Sequence, residues 1–309
     1  MTIPAWRKDL TPEILGGGTV IFHNAIEIPQ ETLLPYLKAR QERWLKENFT
    51  IVYDDNENEL HAVNNGGFIY SIENMRRSPI RIQGLDLDFF NQCEMAIYNA
   101  VMHYVELYPA ILQQLWWRSG GHVLCYNRGA GLGFHADNDV NYRFGFFPQY
   151  EHATRNVLTA LIYFNDCIDN GPHTEWSFAG GHMRIPYFDI DITPKAGSIV
   201  LMPANYLGAH VIDMITHGTR YSYLGWYAQG SANEEKGIKP EMGGESFSPG
   251  SQWWLNTLMD DYGSFIDDRI SRGIISGPKI DEVLAYRARA NDHDTNKGGT
   301  LKDYNNPPY

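Results

Sequence analysis

The sequence predicts a mainly β protein with flanking helices. Between Gly121 and about Tyr227, short apolar runs alternate with Gly, Pro, Asn and Asp. Regularly spaced strands of that kind, each bounded by turn residues, build sandwiches or barrels. The 29 Gly, 19 Tyr and 8 Trp among 309 residues favour strands and turns. Longer stretches with helical spacing stand on both sides of this region.

Taken in order, residues 19–26 (TVIFHNAI) read as a strand. Pro29 opens a helix with Leu33, Leu34, Leu37 and Trp44 roughly on one face. Residues 51–83 alternate polar turns (DDNEN, NNGG) with β-like runs such as FIYSI. From Asp86 to Tyr108, Phe89, Phe90, Met95, Ile97, Val101, Tyr104 and Val105 fall near helical spacing, which makes an amphipathic helix. A short helix over Ala110–Leu115 follows. HVLCYN, VLTALIYF, GHMRIPYF, GSIVLMP, AHVIDMI and RYSYLGWY are the candidate strands. Residues 230–250 form a polar, Gly-rich loop, and SQWWLNTLMDDYGSFIDDRI and KIDEVLAYRARA read as two closing helices. No internal repeat is visible. The expected organisation is one domain over 1–290, with a β core at about 119–230 and helical support over 29–115 and 251–290. The polar tail 291–309 is expected to be flexible.

Composition excludes several classes. The 25 Lys+Arg against 37 Asp+Glu give a net charge of −12, which argues against nucleic acid as the main partner. The longest apolar run, Val157–Phe164, is far short of the ~20 residues that span a bilayer, so no membrane partner is expected. The opening MTIPAWRKDLTPEIL has no apolar core of a signal peptide. The three cysteines, Cys93, Cys125 and Cys167, are widely spaced, which fits a reducing, cytoplasmic compartment better than a disulfide scaffold. No CxxC pair is present, which argues against a thiolate zinc site.

The chemistry is concentrated in YNRGAGLGFHADND, residues 126–139. His135 and Asp137 are two apart, so on a strand they share one face and offer an imidazole and a carboxylate to a divalent metal. An isolated H-x-D reads more readily as a hydrogen-bonded pair at a strand end, and Asp139, also even in parity, falls past the expected end of the strand, which favours Asp137. Downstream, GAHVIDMITHGTRYSYLGWY (208–227) reads as a hairpin, with His210 opening its first strand and Arg220 its second. A turn near His217 and Gly218 would set Arg220 across from Asp213 to Ile215. Two His and one carboxylate form the facial triad of non-heme Fe(II) oxygenases. Arg220 could grip a distant carboxylate in a bidentate manner.

These residues resemble the 2-oxoglutarate- and Fe(II)-dependent dioxygenases, especially their prolyl 4-hydroxylase-like branch. The resemblance runs through Tyr126, Gly129, His135 and Asp137, then Ile162-Tyr163-Phe164-Asn165, Gly180-Gly181 and Pro194-Lys195-Ala196-Gly197, to His210, Gly218, Arg220 and Trp226. It implies a double-stranded β-helix (jelly-roll, cupin-like) core. It also implies Fe(II) on His135, Asp137 and His210, and 2-oxoglutarate held by Arg220 with Tyr126 and Tyr163. O2 completes the set, with ascorbate as a candidate reductant. The implied reaction hydroxylates an unactivated C–H bond and yields succinate and CO2. A small molecule, an amino acid or a prolyl peptide would be the substrate.

The family's spacing of metal ligand to basic residue selects His210 over His217, which falls in the predicted turn. Leu132 stands where a second Tyr is common, and Arg220 where collagen-type members carry Lys. A carboxylate at 137 favours hydroxylation over the halogenation that relatives with Gly or Ala there perform.

Thr159 and Thr219 are further candidates to contact 2-oxoglutarate. Arg184 reads as a surface ion pair, and Arg155 could line the entrance. His122, His152, His173 and His182 lack ligand spacing and read as non-metal. Trp116-Trp117, Trp253-Trp254 and FGFFPQY read mostly as core, and the insertion 140–154 as a substrate lid. Two other readings compete: a non-catalytic metal- or ligand-binding β-helix, and an AlkB-like nucleic-acid demethylase. The second lacks its further arginine, since Trp226 stands six past Arg220. Nothing in the sequence fixes an oligomeric state.

Overall fold

The computed structural model describes residues 9–64, 69–71, 77–115, 117–118, 121–139, 155–229 and 253–274. The chain opens with β1 (Pro12–Gly16) and β2 (Thr19–Phe22), then α1 (Gln30–Asn48). β3 (Phe49–Tyr53), β4 (Glu59–Val63) and β5 (Ile69–Ser71) make a small separate sheet. β6 (Ile80–Ile82) and α2 (Asp88–Leu107) follow, then a 3-10 turn at Pro109–Gln114. The chain continues through β7 (Trp117–Arg118), β8 (His122–Asn127), β9 (Leu132–His135) and β10 (Asn156–Tyr163). β11 (Ala179–Gly180), β12 (Met183–Ile185), β13 (Ile190–Ile192) and β14 (Ile199–Pro203) come next. β15 (His210–Ile212), β16 (Ile215–His217), β17 (Thr219–Ala228) and α3 (Trp253–Ser271) complete it.

Two antiparallel sheets face each other in a double-stranded β-helix. The larger runs β1-β2-β14-β10-β17-β8-β6, with β7 also on β17, and the smaller runs β13-β12-β15-β9. β11 and β16 form a short pair beside them.

The alternation of side chains explains why the large-sheet strands read as continuous apolar runs. On β10, Leu158, Ala160 and Ile162 pack outward against Leu33, Leu37, Phe89, Phe90 and Val101 of α1 and α2. Leu161 and Tyr163 point inward to meet Met183, Ile185 and Ile212 of the small sheet. The same parity holds on β8, where Cys125 faces the helices and Tyr126 the interior, and on β14, where Leu201 and Met202 divide likewise. A strand buried on both faces has no polar face to show. The helices cover one layer, and the second layer encloses the site.

α3 adds Tyr262, Phe265 and Ile266 to the outer core. Its end is tied down by Arg269 on Glu106 at 2.9 Å and Arg272 on Asp9 at 2.7 Å. No helix among the described residues is long and apolar enough to cross a membrane.

Three expectations need correction. The predicted strand 19–26 ends at Phe22, because the chain turns through Asn24 at φ 51°. The hairpin expected over 208–227 does not form. β15 pairs with β9 and β12, β16 pairs with β11, and β17 crosses to the large sheet between β8 and β10. Arg220 therefore lies opposite Tyr126 rather than Asp213 to Ile215. Gly218, at φ +67° with Ser177 O 2.5 Å from any added Cβ, makes the crossing possible. Finally, the strand carrying His135 ends at that residue, so strand parity does not bring Asp137 to the site. The loop 230–250, the segment KIDEVLAYRARA, the tail 291–309, Trp116, His152, FGFFPQY and the insertion 140–154 lie outside the described residues.

Candidate active site

His210 and His135 are direct cross-strand partners on β15 and β9, with ring centroids 4.4 Å apart. The register steps by two residues on β15 and three on β9, from His210↔His135 to Ile212↔Leu132. This bulge lets both Leu132 and His135 face the interior despite their odd separation. Asp137 follows in a turn in which Asp139 Oδ2 accepts from the Ala136 amide at 2.7 Å. Asp139 is thus a turn-maker. One donor atom from each of His135, Asp137 and His210 lies within 4.8 Å of the others.

Both imidazoles are oriented by backbone. Nδ1 of His135 donates to Gly133 O at 2.8 Å, and Nδ1 of His210 donates to Gly208 O at 3.0 Å. A carbonyl can only accept, so each Nδ1 carries the proton and each Nε2 keeps its lone pair for a metal.

Asp137 is held from behind by residues on the large sheet. Thr159 Oγ1 on β10 donates to Asp137 Oδ2 at 2.5 Å, and Asn156 Nδ2 donates to its backbone carbonyl at 3.0 Å. Burial alone would raise the carboxyl. The neighbouring His135 imidazole, the field of His210, the Thr159 hydrogen bond and the nearby Trp226 indole instead bring it down to about 2. Burial lowers His210, whereas at His135 the Asp137 carboxylate and the Gly133 carbonyl outweigh burial and raise it. The group is therefore an anion beside two imidazoles, as a divalent metal requires.

Arg220, at 1 % exposure, sits on β17 between two tyrosines. Its Cζ lies 5.0 Å from each of the Tyr126 and Tyr163 ring centres, and Nη1 donates to Gly181 O at 3.2 Å. Nε of Arg220 and the Tyr163 hydroxyl are buried with no hydrogen-bond partner. No carboxylate of the described residues pairs with this guanidinium. A buried Arg of this kind calls for an anion from outside the chain.

Triad and guanidinium share one cavity of about 340 Å³, part of it open to solvent. Tyr126, His135, Asp137, His210, Thr159 and Arg220 supply its polar groups; Leu161, Met183, Met202, Ile212 and Leu224 supply apolar walls. The donor set of two neutral imidazoles and one carboxylate fits Fe(II), and the Arg220 guanidinium, with its Nε unpaired and the unpaired Tyr163 hydroxyl beside it, fits the far carboxylate of 2-oxoglutarate.

The structure brings together the predicted His135, Asp137, His210, Arg220, Tyr126 and Tyr163. Thr159 is at the site, but it holds Asp137. Thr219 bonds Asn127 at 3.0 Å instead. His217 is exposed on β16 and stacks on His173 at 4.0 Å. Arg184 pairs with Asp213 at 2.6 Å on the surface. His122 lies against Trp226, ring centres 5.2 Å apart, behind the triad. The support of Asp137 by Thr159 and Trp226 was readable in principle: both fall on inward positions of strands whose parity is set by Leu161 and Leu224.

Residues 121–228 match the family model described as the 2OG-Fe(II) oxygenase superfamily. No curated protein matches the chain. Among solved structures, similar chains include a viral collagen prolyl hydroxylase from Paramecium Bursaria Chlorella virus-1 in complex with 2OG. It is 12 % identical, with 69 % of this chain and 96 % of that chain covered and a TM-score of 0.39. Another is a prolyl-4-hydroxylase from Pseudomonas putida, 19 % identical, with 69 % and 94 % covered and a TM-score of 0.37. A third is a prolyl hydroxylase from Trichoplax adhaerens in complex with a hypoxia inducible factor peptide fragment, 17 % identical, with 69 % and 84 % covered and a TM-score of 0.39. The matched region contains every element that carries the triad and the arginine, and over it the chain is similar to the 2OG-Fe(II) oxygenase superfamily.

Proposed function

We propose that this protein hydroxylates an unactivated C–H bond of a small molecule, amino acid or prolyl peptide, with His135, Asp137 and His210 as its metal ligands. One observation supports this above the others. A single cavity holds the triad and, at its closed end, a buried guanidinium with no carboxylate partner among the described residues. In this reading Arg220 takes the C5 carboxylate of 2-oxoglutarate, with the Tyr163 hydroxyl donating to it. Tyr126 and Tyr163 hold the guanidinium between their rings, so little ordering remains to be done on binding.

Fe(II) at the triad would supply O2 activation coupled to decarboxylation of 2-oxoglutarate to succinate and CO2. The protein's own contribution is orientation. Gly133 and Gly208 aim the two Nε2 lone pairs, and Thr159 keeps Asp137 pointed inward. Leu161, Met202 and Leu224 line the cavity with apolar groups and keep it poor in water. The carboxylate at 137 favours hydroxylation over halogenation, and the motif order favours the prolyl 4-hydroxylase-like branch. Ascorbate is the expected external reductant. Among the described residues the elements that carry the site form one packed unit, which fits a single catalytic domain.

The test is an anaerobic titration of metal-free protein with Fe(II) and then 2-oxoglutarate, followed by the visible charge-transfer band of the chelate. A saturable band is expected, lost in His210→Ala and much weakened in Arg220→Ala. No band from folded, metal-loaded protein would refute the dioxygenase reading and favour a binding module. A band that survives His210→Ala but not His217→Ala would refute the ligand assignment.

A further inference from the structure

A second set of metal-ligand side chains lies outside the cavity. One donor atom from each of Cys167, Asp169 and His182 comes within 4.8 Å of the others. Cys167 Sγ is 3.5 Å from Asp169 Oδ1, and His182 Nε2 is 2.7 Å from Asp169 Oδ2. In sequence these residues look unrelated: there is no CxxC, and His182 has no ligand spacing. The fold makes the cluster. Cys167 bridges to Phe178 in parallel, and its amide donates to Pro194 O at 3.0 Å. The Ile168 amide donates to Phe178 O at 2.7 Å. Gly180 N donates to Asp169 Oδ1 at 2.9 Å, which fixes the carboxylate. Gly180 and Gly181, at φ +74° and +66°, then turn the chain so that His182 meets Cys167 and Asp169. An added Cβ at Gly180 would lie 2.3 Å from Met214 O, so no other residue fits that turn unstrained.

We propose that Cys167, Asp169 and His182 form a second metal site, selective for Zn(II) or a similarly thiophilic divalent cation. The donors are a sulfur, an imidazole and a carboxylate, the three ligand types of protein zinc sites. The sulfur sets it apart from the triad in softness and disfavours Mg(II) and Ca(II). Three protein ligands leave a fourth, tetrahedral position for water. Asp191 Oδ1 lies 2.8 Å from His182 Nδ1, the carboxylate–histidine arrangement that orients Nε2 toward a metal. Among the described residues no Lys or Arg pairs with Asp169. The nearby Arg184 is engaged by Asp213 at 2.6 Å and by Asp191 at 3.8 Å. On binding, a cation takes the Asp169 and Nε2 positions that now bond each other, and the thiol and imidazolium protons pass to solvent.

Co(II) is the probe, added to the full-length, metal-free protein under reducing conditions. A near-ultraviolet thiolate-to-Co(II) charge-transfer band should appear, saturate at a single site per chain and disappear when Zn(II) is added. The triad contains no sulfur, so the band must persist in His210→Ala. It must be lost in Cys167→Ser. Asp191→Asn should weaken Co(II) by roughly 10- to 100-fold. Asp169→Asn serves as the second loss variant if Cys167→Ser does not fold by circular dichroism. A wild-type protein with no thiolate band, or a band that survives both ligand variants, overturns the proposal.

Discussion

Thr159→Val removes one hydroxyl and leaves the shape of the side chain almost unchanged. In the structure Oγ1 donates to Asp137 Oδ2 at 2.5 Å, and the residue is 1 % exposed, so water cannot take its place. A hydrogen bond to a charged group contributes about 1.5–3 kcal/mol. Set against 1.36 kcal/mol per pKa unit, its loss raises the Asp137 carboxyl by roughly 1–2 units. From its present value of about 2, the carboxyl still ionises fully at neutral pH. The damage is therefore one of orientation: Asp137 is freed to rotate away from the two Nε2 atoms. Groups that support a ligand from behind in this way are worth about 10–100-fold in metal affinity. Calorimetric titration with Mn(II), which avoids oxidation, should show a loss of that size in Thr159→Val. Thr159→Ser, which restores the hydroxyl, should bind like the parent. Parent-like Mn(II) affinity in a folded Thr159→Val would refute the claim that Thr159 positions this ligand.

Arg220→Ala should cost roughly 2–5 kcal/mol in 2-oxoglutarate binding, about 30- to several-thousand-fold in Kd, with Mn(II) affinity retained. Arg220→Lys should fall between, since it keeps the charge but loses the fork and the stack on Tyr126 and Tyr163; equal 2-oxoglutarate affinity in all three proteins would remove Arg220 from the site. Gly180→Ala places a Cβ 2.3 Å from Met214 O at φ +74° and should destabilise the protein by about 1–3 kcal/mol, read as a lower Tm. An unchanged Tm would show that the turn has slack. Asp9 is held below its ordinary 3.8 chiefly by the Arg272 hydrogen bond. Its contribution is thus present above about pH 3.8 and lost as pH falls through the lower folded value. Asp9→Asn should melt lower at neutral pH but lose less Tm on acidification than the parent; parallel Tm–pH curves would rule the clamp out.

Much of the strand content was legible because a strand buried on both faces is apolar throughout, as VLTALIYF and GSIVLMP are. HVLCYN corresponds residue for residue to β8. Pairing was less legible. Nothing in RYSYLGWY says that it lies between β8 and β10 rather than back upon AHVIDMI, because neighbours in a β-helix are set by which sheet each strand joins. The chemistry of His135, Asp137, His210 and Arg220 was visible as residue types at workable spacing. The reason Asp137 reaches the site was not: it depends on a bulge in β9 and a turn closed by Asp139, both of which break the two-residue period. Cys167 and His182 were invisible as neighbours because a Gly-Gly turn, and no periodic element, brings them together.

The placement of Arg220 has a kinetic consequence. β17 is paired along both edges, and its outward residues Tyr221 and Tyr223 are buried in the core beneath the helices. His135, by contrast, retains 27 % of its side-chain exposure. Among the described residues the cavity is thus a cul-de-sac with its doorway at the triad. A molecule that must reach the guanidinium has to enter before anything settles at the doorway, and it can leave only after the doorway clears. Two ligands sharing this space therefore obey a queue: first in, last out, and an excess of the second should trap the first.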